Sequence, residues 1–167
     1  SDVYKRQLSS ISDEYGVQMD TLKAAITANR KQKKQMSNKL EKLVTTGIKD
    51  KVITVLGLSF KANTDDIRES PSIDIIKYIL SKGGHIRAYD PIANDAMSVL
   101  FPNISYFQNV YEAIDKAEAL IVMTEWNEFR SLDLNRIKNI MDGKLILDTR
   151  NILNMKELSS LGFVYDN

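Results

Sequence analysis

Five charged side chains lie in one segment of the sequence, residues 57–70, between an apolar run and a helix pattern. They are Lys61, Asp65, Asp66, Arg68 and Glu69. Lysine supplies a mobile point charge and arginine supplies a fork of hydrogen-bond donors, and proteins use both to bind phosphate. The three carboxylates could ligate a metal ion, but they more simply support the two cations by ion pairing. The segment therefore favours a phosphate site, and we expect no metal.

Polar residues also follow three other strands of a predicted parallel sheet. Asp90 comes after the second strand, residues 124–126 after the fourth, and residues 148–151 after the fifth. In an open parallel sheet, ligands bind beyond the carboxyl ends of the strands, near the point where the strand order reverses. These residues therefore predict a binding edge. Helix caps and solvated turns are the alternative interpretation.

The sequence lacks the fingerprint of a dinucleotide site. That fingerprint needs three glycines, spaced Gly-x-Gly-x-x-Gly, so that the backbone can approach the pyrophosphate, and only Gly57 is present after the first strand. Asp90 could imitate the ribose-binding acid, but an Asp-Pro turn after a strand is more often structural. The lone His85 has no partner spacing and is also interpreted as structural.

Alternating β-branched runs and helix patterns extend from Lys51 to the end of the chain, as in a parallel sheet built from βαβ units. The predicted strands are Val52–Leu56, Ile86–Tyr89, Ser105–Phe107, Leu120–Met123 and Leu145–Leu147, with a sixth candidate at Phe163–Tyr165. The predicted helices are Pro71–Lys82, Ala93–Leu100, Val110–Lys116, Leu134–Met141 and Met155–Leu161. The pattern predicts an α/β fold with a doubly wound parallel sheet.

A long helix is predicted before the sheet, from Met19 to Val44, with Gly47 as its stop. Its basic stretch, Arg30 to Lys34, is most simply a solvated face, and the alternative is contact with an acidic partner. Because one apolar stripe needs something to pack on, we expect the helix to connect domains or to contact another subunit.

Composition excludes several classes of protein. A formal net charge of +1 gives no global argument for binding nucleic acid or a membrane surface. Apolar runs stay far below the roughly 20 residues needed to cross a bilayer. The polar start at residues 1–7 does not resemble a signal peptide. The absence of cysteine excludes a thiol nucleophile on this chain, and we expect a cytoplasmic protein.

A receiver domain is the main competing fold, because Asp65 and Asp66 after the first strand could form an acidic phosphorylation pocket. The phosphorylated aspartate of such a domain would end the third strand, where residues 107–109 are Phe-Gln-Asn. The cation after the fifth strand is Arg150 rather than a lysine. These two departures argue against a receiver.

Residues 55–71, VLGLSFKANTDDIRESP, resemble the C-terminal domain of the UDP-glucose/GDP-mannose dehydrogenase family. The resemblance continues through residues 87–93, 124–129 and 147–151, and residues 24–32 resemble the long central helix of that family. It implies a Rossmann-like domain preceded by a long helix, with residues 1–48 as part of the central dimerisation domain and residues 49–167 as the UDP-sugar-binding domain. Within the family, the motifs are most similar to those of bacterial enzymes acting on UDP-glucose.

The resemblance implies a whole enzyme that oxidises UDP-glucose to UDP-glucuronate in two NAD-dependent steps, through a covalent thiohemiacetal and a thioester on a cysteine absent from this chain. We therefore expect a homodimeric enzyme whose NAD is bound mainly by a domain outside this sequence. By resemblance, Lys61 and Arg150 bind the UDP-sugar and Arg68 reaches the NAD pyrophosphate. Asp65, Asp66 and Glu69 are supports, no residue of this chain is catalytic, and Trp126 is expected to pack.

Two alternatives remain open from the sequence. Enzymes acting on UDP-N-acetylmannosamine or GDP-mannose share this domain, so the sugar is not fixed by the motifs. A non-catalytic module that uses the fold for nucleotide binding and the helix for dimerisation is the other alternative.

Overall fold

The structure, a computed structural model, describes residues 36–167. Residues 37–167 form one unit built around a six-stranded sheet. The strands are β1 (Val52–Leu56), β2 (His85–Tyr89), β3 (Ser105–Tyr106), β4 (Ala119–Val122), β5 (Leu145–Asp148) and β6 (Val164–Asp166). The helices are α1 (36–43), α2 (Pro71–Ser81), α3 (Asn94–Leu100), α4 (Val110–Ile114), α5 (Asn127–Arg130), α6 (Leu134–Ile140) and α7 (Met155–Ser160).

The sheet has the strand order β3-β2-β1-β4-β5-β6, and every neighbouring pair is parallel. The chain first winds outward from β1 to β3, then returns to the other side of β1 with β4. The order therefore reverses between β1 and β4, where a ligand crevice forms in folds of this kind. The predicted Rossmann-like doubly wound sheet is confirmed.

The central strands are buried because helices cover both faces of the sheet. All four residues of β4 are buried, as are Ile53, Val55 and Leu56 in β1. Thr54 is also fully buried, and its hydroxyl donates to the Ala113 carbonyl at the end of α4 over 2.6 Å. This bond satisfies the one polar side chain in the strand and ties α4 to β1.

The ends of α2 follow the predicted signals closely. The Ser70 hydroxyl accepts from the Ser72 amide, and Pro71 occupies the first turn, where no amide donor is needed. Gly83 follows the helix with φ +77° and lets the chain turn into β2. The helix buries Ile75, Ile76 and Ile79.

Some predicted boundaries differ from the structure. Helix α5 was not predicted, because a single turn is too short to show a helical period, although its Phe129 is fully buried. β3 contains only two residues, and β6 is present. Of the helix predicted over Met19–Val44, residues 36–43 are helical, and the remainder lies outside the described residues.

The part of the chain from residue 36 onward contains no helix that combines the length and the apolar character of a membrane span. Leu40, Val44 and Ile48, which precede the sheet, are buried.

Gly57 is the residue at which β1 leaves the sheet. Its φ is +89°, and a Cβ placed on it would lie 2.6 Å from Thr124 Cβ and 2.7 Å from the Thr124 backbone nitrogen. Only glycine therefore allows the chain after β1 to pass so close to the end of β4.

We expect Gly57→Ala to lower the free energy of unfolding by about 3 kcal/mol, because positive φ and overlap with backbone atoms add. The matched control is Gly162→Ala. Gly162 has φ +83° but no atom within 4 Å of an added Cβ, so only the conformational cost of about 1 kcal/mol remains. Urea unfolding of both variants measures the difference, and equal losses would show that the Thr124 contact contributes nothing.

Candidate functional site at the carboxyl edge of the sheet

The ends of β1, β2 and β4 lie at the same level of the sheet. Leu56 pairs with Tyr89 on one side and with Val122 on the other. Beyond this level, the Gly57 amide donates to the Tyr89 carbonyl over 2.8 Å, and the Thr124 hydroxyl donates to the Ser59 carbonyl over 2.9 Å. The segments that leave these strands are therefore held together by both backbone and side-chain hydrogen bonds.

Asp90 ties the same three strand ends together from the interior, where it is 1% exposed. Its Oδ2 accepts from the amides of Leu58 and Ser59, the Ser59 hydroxyl and the Trp126 indole at 2.8–3.2 Å. Its Oδ1 accepts from the amides of Ile92 and Ala93, both at 2.9 Å. Six hydrogen bonds from the protein leave this carboxylate unavailable to a ligand.

The structure agrees with the structural interpretation of Asp90 and with the packing interpretation of Trp126. Trp126 is 7% exposed and donates its indole proton to Asp90 over 3.1 Å, so its ring does not offer a free stacking surface. Asn94 extends the arrangement, since its side chain accepts from the Asp90 amide and donates to the Phe107 carbonyl.

The charged segment 57–70 folds over the end of β1. The Phe60 amide donates to the Asp66 carbonyl over 2.8 Å and closes the segment into a compact loop. Within it, Asp66 accepts from the Nε and Nη2 atoms of Arg68 at 2.9 and 2.8 Å and from the Arg68 amide at 2.9 Å. Asn63 and Glu69 have positive φ, which lets the loop reverse direction twice within seven residues.

The Arg68 side chain lowers the pKa of Asp66 from 3.8 to about 2, chiefly through the side-chain hydrogen bonds and then through the backbone bond. The same pairing raises the pKa of Arg68. Both groups are therefore charged at neutral pH. Arg68 is 80% exposed, so its remaining donors face outward from the domain.

Lys61 and Asp65, in the same loop, do not take part in this ion pair. Lys61 is exposed and makes no ion pair or hydrogen bond within residues 36–167. Asp65 is also exposed and pairs with neither cation. The expected ion pair is thus present between Asp66 and Arg68, whereas Asp65 forms none among the described residues.

Arg150 lies at the end of β5 and is held through the strand beside it. Asp148 is fully buried and accepts from the amides of Arg150, Ile152 and Leu153 at 2.7–3.0 Å, which fixes the turn after the strand. The Arg150 Nε donates to the Met123 carbonyl over 2.7 Å and lies 3.3 Å from the Glu125 carboxylate. Its terminal amino groups have no protein partner in the described part of the chain.

Lys61 and the terminal amino groups of Arg150 are cationic donors that make no hydrogen bond to the described residues, and donors of this kind suit an anionic ligand. No cluster of metal-ligating side chains occurs among residues 36–167. These residues also do not form a cradle for a dinucleotide. Thr124 occupies the space beside Gly57, the one glycine directly after β1, and Asp90, the acid after β2, is buried.

A concavity lies away from the predicted site residues. It is a cleft of about 360 Å³, and its lining residues come mainly from β2, α4 and α6. Arg87 stacks on Phe107 at 4.1 Å and Arg136 stacks on Tyr111 at 3.8 Å at this cleft. None of the predicted site residues lines it.

Sequence reasoning did not single out Glu125 or Asp148 individually, although both lie in the polar segments it identified after β4 and β5. Asp148 resembles Asp90 in one respect, since each follows an apolar strand and accepts from backbone amides two to five residues later. That spacing, an aspartate at a strand end before a turn, is the signal that could have identified both as structural acceptors.

The strand order defines a Rossmann-like domain, and the described residues at its carboxyl edge form no glycine-rich dinucleotide cradle. Residues 54–155 match the model of the UDP binding domain of the UDP-glucose/GDP-mannose dehydrogenase family. This match covers more than half of the chain, and the chain belongs to that family.

Individual relatives are consistent with this assignment. The chain is 38% identical over 160 residues to UDP-glucose 6-dehydrogenase of Rickettsia bellii, covering 95% of this chain and 37% of that protein. It is 34% identical over 159 residues to UDP-glucose 6-dehydrogenase TuaD of Bacillus subtilis, with 95% and 34% covered. A UDP-glucose dehydrogenase from Pyrobaculum islandicum has the same fold, with a TM-score of 0.82, 24% identity, and 98% and 35% covered.

The chain thus spans little more than a third of the length of these relatives. The shared part is their UDP binding domain together with residues that precede it.

We expect the Asp66 carboxyl to titrate with a pKa of about 2. Since this pKa is lower than the unfolded value, the pair with Arg68 contributes stability above pH 3.8 and loses it as the pH falls toward 2. Carbon-detected NMR titration of the carboxyl measures it. In Arg68→Ala the midpoint should rise toward 3.8, and an unchanged midpoint would show that Arg68 is not the cause.

Proposed function

We propose that this chain is the nucleotide-sugar-binding part of an NAD-dependent UDP-glucose 6-dehydrogenase, which converts UDP-glucose to UDP-glucuronate. The observation that carries the proposal is the pair of cations, Lys61 and Arg150, with unused donors at the carboxyl edge of the sheet. The family assignment and the similarity to enzymes named for this reaction support it.

In this proposal, Lys61 and Arg150 bind the diphosphate of the UDP-sugar. A diphosphate carries charge on several oxygens, and charge-assisted bonds to ammonium and guanidinium groups are about twice as strong as neutral ones. Lys61 is mobile and can follow the ligand, whereas Arg150 is fixed at Nε by the Met123 carbonyl. Lys61 therefore adjusts to the position of the diphosphate, and Arg150 orients it.

Arg68 has a separate role in the proposal, because its donors face outward from the loop. Asp66 holds one edge of the guanidinium and leaves the rest exposed. An exposed, oriented guanidinium suits an anionic group bound by another domain, and we assign to it the pyrophosphate of NAD.

No residue of this chain is proposed to react with the sugar. The chain contains no cysteine, so the thiol that forms the covalent intermediates in the proposed reaction belongs to a segment outside this sequence. This domain contributes positioning, because binding the nucleotide end of the substrate fixes the distance and angle at the reacting carbon. We therefore propose that the chain does not oxidise UDP-glucose by itself.

The remaining expectations stay proposals. Homodimerisation through the helix predicted over Met19–Val44 concerns residues that are largely outside the described part. A cytoplasmic location is consistent with a chain free of cysteine. UDP-N-acetylmannosamine and GDP-mannose are the alternative substrates. Titration of this chain with UDP and with GDP distinguishes a preference for uracil from a preference for guanine.

We expect calorimetric titration of this chain to give heat with UDP and little heat with GDP. Lys61→Ala should weaken UDP binding about tenfold, since loss of one charge-assisted bond is worth roughly 1.5 kcal/mol. Lys138→Ala is the matched control, because Lys138 is an exposed lysine in the last turn of α6 and not at the carboxyl edge. Equal affinities for the wild type and both variants would contradict the assignment of Lys61.

A further inference from the structure

Glu125 forms an ion pair with the side chain of the proposed phosphate ligand Arg150. It follows β4 by three residues, and its Oε2 lies 3.3 Å from the Arg150 Nε atom. The two side chains are 39% and 31% exposed, so the pair is partly shielded from water. Neither the family motif nor the resemblance assigned a role to this carboxylate.

One hydrogen bond and one ion pair hold the same edge of the Arg150 guanidinium. The Met123 carbonyl accepts from Nε at 2.7 Å, and the Glu125 carboxylate lies on the same nitrogen. The terminal amino groups of Arg150 have no protein partner among residues 36–167. The arrangement fixes the inner edge of the fork and leaves its outer edge for a ligand.

We propose that Glu125 is a positioning residue that orients Arg150 toward the phosphate of the bound nucleotide; this inference rests on the proposed function. An arginine side chain has many rotamers and loses conformational entropy when a ligand fixes it. A carboxylate that already fixes the guanidinium in the free protein reduces the conformational entropy that the side chain loses when the ligand binds. Glu125 therefore increases affinity through Arg150, without touching the nucleotide.

Glu125 could also weaken UDP binding, by repelling the diphosphate. Removing Glu125 therefore tests the inference by the direction in which the affinity for UDP changes. A carboxylate near a diphosphate repels it, and this repulsion weakens binding. If orientation dominates, removal of Glu125 weakens UDP binding. If repulsion dominates, removal of Glu125 tightens UDP binding.

The partial shielding of the pair favours orientation. The exposed fraction of Glu125 lets water screen its repulsion of a phosphate held on the far side of the guanidinium. Its attraction to Nε acts over 3.3 Å and is screened much less. We therefore expect orientation to exceed repulsion at physiological salt.

The experiment compares Glu125→Ala, Glu125→Gln, Arg150→Ala and the double variant Glu125→Ala/Arg150→Ala in UDP titrations of this chain. We expect Glu125→Ala to weaken binding three- to tenfold and Glu125→Gln to weaken it less, because the amide keeps a polar oxygen beside the guanidinium although the charge is lost. In the Arg150→Ala background, Glu125→Ala should have no further weakening effect, since its role acts through Arg150.

Glu118→Gln is the matched control for loss of an acidic partner. Glu118 pairs with Lys51 over 2.6 Å beside the amino end of β4, at the opposite edge of the sheet. UDP binding should be unchanged in this variant. Thermal unfolding of all variants separates a loss of affinity from a loss of fold.

A second readout does not depend on any ligand. The Arg150 Nε proton should exchange with water more slowly in the wild type than in Glu125→Ala, because the positioning exists before binding. Unchanged exchange, or an unchanged or higher affinity for UDP in Glu125→Ala, overturns the role of Glu125. If neither the wild type nor any variant binds UDP while the exchange rates differ as expected, the proposed function fails and the positioning of Arg150 stands.

Discussion

The carboxylate of Asp90 lies in the interior of the carboxyl edge of the sheet, where it accepts six hydrogen bonds. Burying a charge is costly unless hydrogen bonds replace its hydration. Here the donors come from the segment after β1, the turn after β2 and Trp126 after β4, so one charge joins the three central strand ends. The segment that contains Lys61 includes two of these donors, Leu58 and Ser59, and is thereby anchored to Asp90.

This use of Asp90 explains why the domain has the Rossmann-like strand order without a dinucleotide site. In dinucleotide-binding folds, the acid after the second strand takes the ribose and the glycines admit the pyrophosphate. In this chain the acid is turned inward, and the space beside the single glycine is filled by Thr124. In the proposed function, anion binding is therefore assigned to the side chains of Lys61 and Arg150 rather than to the backbone at a helix terminus.

The sequence was sufficient for features that depend on near neighbours. The Ser70 and Pro71 start of α2 and the ion pair of Asp66 with Arg68 are set by residues one or two positions apart, and the alternation of strands and helices shows in local periodicity. The doubly wound architecture followed from general rules of chain winding, and the order of the strands came from the structure.

Other features depend on residues that only the sheet brings together. Asp90 accepts from Leu58, 32 residues earlier, and from Trp126, 36 residues later. Arg150 donates to Met123, 27 residues earlier, because β4 and β5 are neighbours. No local pattern in the sequence reveals which polar side chain at a strand end turns inward and which keeps unused donors. The direction of the side chain decides which residues can reach a ligand.

The most direct test of this account is the free energy of unfolding of Asp90→Asn, measured together with its affinity for UDP. An asparagine keeps the shape but supplies one acceptor oxygen, so several buried donors lose their partner, and we predict a loss of about 3 kcal/mol. Asp142→Asn, at an exposed aspartate, should change stability by less than about 0.5 kcal/mol. A stable Asp90→Asn variant with lost UDP affinity would contradict the account, because Asp90 would then be a ligand and not the acceptor that organises the site.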